Sequence, residues 1–93
     1  MRRPRRQKKR VSLWEVRLND GRQLRVFGYS ALQALCIVTD TAFPGKTLQF
    51  VRYEFEPAAR RLPCGLRIRI GSTLRTVGEW CRGQEPGPMP AAR

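Results

Sequence analysis

The chain has 93 residues and a formal charge of +12, from 19 Lys and Arg against seven Asp and Glu, with three cysteines and no histidine. Without histidine or a Cys-x-x-Cys spacing, neither a zinc site nor a Ser-His or Cys-His nucleophile is expected, so the composition argues against an enzyme and implies no cofactor. The longest uninterrupted apolar run, Ala34 to Val38, is five residues. That is far below the roughly 18 to 20 needed to span a bilayer, so no membrane segment is expected, and a reduced intracellular setting, cytoplasmic or nuclear, fits.

Residues 1–10 hold Arg2, Arg3, Arg5, Arg6, Lys8, Lys9 and Arg10 and no acid. Like charges repel and there is no apolar surface to bury, so a disordered, solvated arm is expected, one that needs an anionic partner to become ordered. The arm takes +7 of the charge and leaves +5 on the remainder. A basic arm on a basic body extends a binding surface for a polyanion. Arginine outnumbers lysine sixteen to three. Its planar fork suits phosphate, although GC-rich coding would produce the same bias.

Residues 11–82 read as one small α+β domain. Trp14, Val16 and Leu18 alternate with Glu15 and Arg17, and Leu24 and Val26 alternate with Gln23 and Arg25, which predicts two half-buried strands. Asn19-Asp20-Gly21-Arg22 supplies the turn between them. Ser30, with Gln33 three residues on, caps an expected helix over 31–39 that Phe43-Pro44-Gly45 breaks. Thr47 to Phe55 is rich in β-formers with apolar residues on both faces, which predicts a doubly covered strand. A polar connection from Glu56 to Gly65 then leads to the alternating strand Leu66 to Ile70. Ser72 stands before Leu74, Val77, Trp80 and Cys81 at helical spacing, despite Gly78. Cys36 and Cys81 read as small core residues in apolar runs.

Sliding the chain by 42 residues aligns Leu24-Arg25-Val26 with Leu66-Arg67-Ile68 and Ser30 with Ser72, which suggests a repeat or merely two similar strand-to-helix junctions. Either way the expected architecture is a four-stranded, mainly antiparallel sheet with two helices on one face, ββαββα. Residues 83–93, with three prolines and two glycines, read as a disordered tail.

With Trp14, Val16, Leu18, Leu24, Val26, Leu66, Ile68 and Ile70 against the helices, period two places Arg17, Arg25, Arg67 and Arg69 on the opposite face. Phe27 would join them, as would either Phe50 with Arg52 or Val51 with Tyr53 and Phe55 on the expected third strand, depending on its register. Arginines interleaved with aromatics hold phosphates and stack bases, so a non-catalytic nucleic-acid-binding protein is the leading expectation, DNA and RNA undistinguished. A second subunit covering the same face, as a homodimer, is the competing use of it. The alternative function is a small adaptor or inhibitor, of the size encoded by phages and mobile elements, docking on an acidic protein surface. A third reading makes the arm a nuclear-import or membrane-surface label. Glu54 and Glu56, two apart on the expected strand, would share a face, but no third acid completes a two-metal site.

Overall fold

The computed structural model describes residues 10–90. The order is β1 (Ser12–Arg17), β2 (Gln23–Gly28), α1 (Ala31–Ala42), α2 (Leu48–Phe55), β3 (Ala58–Arg61), β4 (Arg67–Ile70), β5 (Thr73–Thr76), α3 (Val77–Cys81) and β6 (Gly87–Pro88). The class is the expected one, α+β with a four-stranded antiparallel sheet, but the sheet runs β3-β1-β2-β6, and β4 and β5 pair only with each other.

The β1–β2 hairpin closes as its turn residues require. Gly21 takes φ 95°, Leu18 and Arg22 close the loop by a backbone hydrogen bond of 2.9 Å, and the Asp20 carboxylate accepts the Arg22 N–H. That backbone N–H is the main reason the Asp20 carboxyl is held below its usual value. The Ser30 hydroxyl accepts the Gln33 N–H at the start of α1, and the helix ends at Phe43.

Each sheet face has its own core. Trp14, Val16, Leu18, Leu24 and Val26 pack under Ala34, Leu35 and Val38 of α1, Phe43, and Val51 of α2. On the other face Leu13, Phe27 and Leu62 pack with Val11, Ile68 and Val77, with Ile70, Trp80, Cys81 and Met89 at the margin. The molecule is therefore three layers deep: two helices, the sheet, and the β4–β5 hairpin with α3 covering one end of the second face. A chain this short, split over two small cores, has little apolar burial to spare.

Four elements differ from the sequence reading. Leu48–Phe55 is a helix, capped by the Thr47 hydroxyl at 3.0 Å from the Phe50 nitrogen and ended by Glu56 at φ 44° before Pro57. Leu48, Val51 and Phe55 recur at helical spacing and face the first core, so the apolar residues on both faces of the supposed strand were one helix stripe plus the exposed Phe50 and Tyr53. The polar connection contributes β3, which pairs with the free edge of β1. Thr73–Thr76 is a strand, and the last helix starts only at Val77, capped by Thr76 in a capping box with Glu79. The supposed tail lays Gly87–Pro88 along β2, tied by the Met89 N–H to the Arg25 carbonyl at 3.0 Å.

These differences dissolve the 42-residue similarity as a structural repeat, because Ser30 caps a helix while Ser72 lies in the β4–β5 turn beside Gly71 at φ 60°. The expected disorder of residues 1–9 and 91–93 lies outside the described residues.

Candidate nucleic-acid interface

Period two on β1 puts Leu13, Glu15 and Arg17 on the second face of the sheet, and the register sets Arg25 of β2 and Arg60 of β3 directly across from Glu15. The hairpin layer covers Leu13 and Phe27 but stops short of this row. The result is an acidic residue flanked by a guanidinium on each neighbouring strand, with Arg17 two residues along its own.

Glu15 is only 5% exposed. Its Oε1 accepts hydrogen bonds from Arg17 Nε at 3.3 Å and Arg60 Nη2 at 3.2 Å, and Arg25 Nη2 stands 3.9 Å from Oε2. A carboxylate that far from water is tolerated only when opposite charge surrounds it. The arginines themselves remain open, with side chains 59%, 43% and 68% exposed for Arg17, Arg25 and Arg60. Each guanidinium has five N–H donors and spends few on Glu15, so the remainder face solvent around a local charge of +2. The carboxylate acts as a peg that gathers three guanidiniums beside one another.

Arg67 and Arg69 do not lie on this sheet. They occupy the outer side of β4 and are exposed, while Ile68 and Ile70 turn inward to the second core. Across from them lie Thr76 and Leu74. A shallow hollow of about 230 Å³ is lined by Arg67, Leu74, Arg75, Thr76 and Glu79. Arg75 lies over the Trp80 ring at 5.1 Å. Glu79 is held below its usual carboxylate range, chiefly by the Thr76 backbone N–H, so it stays charged beside Arg67 and Arg75. The hairpin layer sits on the same sheet face as the Glu15 row, through its packing on Leu13 and Phe27.

The remaining expected site residues divide. Arg10 is exposed and, with Tyr29, Ser30 and Gln33, borders a second shallow hollow of about 380 Å³ at the start of α1. Arg2, Arg3, Arg5, Arg6, Lys8 and Lys9 lie outside the described residues. Phe27 is 2% exposed and belongs to the second core, because the β4–β5 unit covers that end of the face; it offers no ring for stacking. Phe50 and Arg52 ride on α2 in the helix layer, away from the arginine row. Lys46 Nζ stands 4.9 Å over the Phe50 ring. Of the exposed aromatics, Phe50 and Tyr53 lie on α2, and Tyr29 follows β2 two residues after Phe27.

Arg60 escaped the sequence reading because Ala58-Ala59-Arg60-Arg61 has neither alternation nor β-branched residues, and it becomes a strand only through pairing with β1. Glu54 and Glu56 straddle the end of α2 instead of sharing a strand face, with Asn19 Nδ2 donating to the Glu54 carbonyl and the Glu56 carboxylate. Among the described residues no group of three or more His, Cys, Asp or Glu is placed to hold a metal ion. No helix among them is long and apolar enough to cross a membrane. Neither a protein-family model nor a curated protein nor a solved structure matches this chain.

Proposed function

We propose that the protein is a non-catalytic nucleic-acid-binding module that holds the phosphate backbone through the arginines gathered on Glu15, with the hairpin arginines and the basic arm extending the contact. The observation that carries this reading is the pegged row itself: three half-exposed guanidiniums fixed around one buried carboxylate. Fixed guanidiniums bind phosphate oxygens bidentately, and contacts of this kind position a protein on nucleic acid without reading bases.

The test is binding of the full chain to a short labelled duplex and to its single strands across a salt series. Six phosphate contacts would weaken affinity by about a thousandfold between about 50 and 200 mM salt. Replacing the arm's basic residues by Gln flattens that slope for every sequence alike. No binding at low salt refutes the proposal, and retention of an acidic protein in place of nucleic acid would favour the adaptor reading.

A further inference from the structure

The second core brings two of the three cysteines to one place, which their spacing in the chain conceals. The Cys64 carbonyl accepts the Gly78 N–H at 2.9 Å, and the Leu66 carbonyl accepts the Val77 N–H at 2.7 Å, so the loop before β4 lies against the first turn of α3. The approach is close: a Cβ at Gly78 would stand 3.6 Å from the Cys64 Cβ, an ordinary contact distance. Cys81 follows Gly78 by three residues on α3, and residues so spaced on a helix share a face, with Cβ atoms about 5–6 Å apart. Cys64 is exposed, whereas Cys81 is half-buried at the edge of the second core. Burial pushes the Cys81 thiol up, and charge on Cys64 pushes it further, so the two groups sense each other. Cys36 lies on α1, in the layer on the other side of the sheet.

We infer that Cys64 and Cys81 are an oxidation site, a vicinal thiol pair that a low-molecular-weight disulfide converts to an intramolecular disulfide closing the β4–β5–α3 unit. Exposure makes Cys64 the attacking thiol and burial makes Cys81 the resolving one. Cys64 gives up its proton and attacks one sulfur of the small disulfide, forming a mixed disulfide and expelling one thiolate, which takes up a proton. Cys81 then loses its proton and attacks the Cys64 sulfur, forming the Cys64–Cys81 bond and expelling the second small thiol. Two protein thiols are oxidised and one small disulfide is reduced to two thiols. A disulfide needs Cβ atoms about 3.5–4.5 Å apart, so the five-residue α3 must bring Cys81 to that distance from the Cys64 loop that already touches its first turn. The bond would anchor the strand that bears Arg67 and Arg69, although the inference stands independently of nucleic-acid binding.

The full chain is incubated with excess oxidised glutathione, and thiols are then counted under denaturing conditions beside intact mass and peptide mapping. The expected result is a fall from the chain's three thiols to one. It is accompanied by the loss of two hydrogens in mass, a 64–81 cross-linked peptide, a monomer on a non-reducing gel and a melting temperature several degrees higher. Cys36→Ser still forms the cross-link, whereas Cys81→Ser stops at a glutathione adduct on Cys64 and Cys64→Ser forms no cross-link. A cross-link that includes Cys36, disulfide-linked dimers, a chain holding only glutathione adducts, or a lowered melting temperature would overturn the inference.

Discussion

The pegged arginine row predicts an asymmetry between removing the acid and removing the bases. Replacing Glu15 by Gln leaves Arg17, Arg25 and Arg60 free to turn into water, since each is roughly half exposed, so no buried charge is stranded. The loss is then that of a few charge-assisted hydrogen bonds, about 1–2 kcal/mol. Replacing all three arginines by Gln instead strands a carboxylate that is 5% exposed. Leaving a buried charge uncompensated costs about 3–5 kcal/mol. Adding Glu15→Gln to the triple variant removes that charge and recovers most of the loss, so the quadruple variant is the more stable of the two. Urea denaturation of the four proteins at neutral pH, read by tryptophan fluorescence, measures each difference. If Glu15→Gln proves as damaging as the triple substitution, or fails to rescue it, Glu15 is not the peg and the arginines are merely solvated neighbours.

Phe27→Ala should cost about 3–5 kcal/mol by thermal or urea denaturation, as for a core aromatic, with no selective loss of single-strand binding in whatever fraction stays folded. Gly78→Ala should be neutral or stabilising by up to about 1 kcal/mol, because a methyl group there meets Cys64 only at ordinary contact distances of 3.5 and 3.6 Å; a marked loss would show the α3 contact to be tighter than described. The Asp20 and Glu79 carboxyls are both held below their ordinary values. Their contribution is therefore complete above the unfolded carboxyl range, near pH 4, and is lost as acid protonates the folded groups. Asp20→Asn and Glu79→Gln should shallow the fall in stability between neutral pH and pH about 3, whereas an unchanged acid limb would contradict the assignment.

The first half of the chain was legible because its signals are local: alternation on Trp14-Val16-Leu18, the Asp20-Gly21 turn and the Ser30 cap each determine their own element. The second half depends on partners distant in sequence. Ala58–Arg61 has no strand pattern of its own and is recruited by the edge of β1, and Gly87–Pro88 is ordered by β2 in the same way. In Thr47–Phe55 the β-branched and aromatic residues mask a helical spacing that the first core rewards. For the interface, period two correctly turned Arg17 and Arg25 away from the α1 core, yet it gave no sign that the hairpin would bury Phe27 or that Arg60 would complete the row around Glu15.

Phosphate binding by the pegged arginines would show in the salt dependence of duplex binding, measured for the native chain and for the quadruple Glu15, Arg17, Arg25 and Arg60 to Gln variant, both shown to be folded. A steep linear fall of log affinity with log salt is expected in the native chain. Each phosphate contact contributes a slope of about −0.9, so the variant's slope should be shallower by about two to three. Equal slopes in two folded proteins would contradict it.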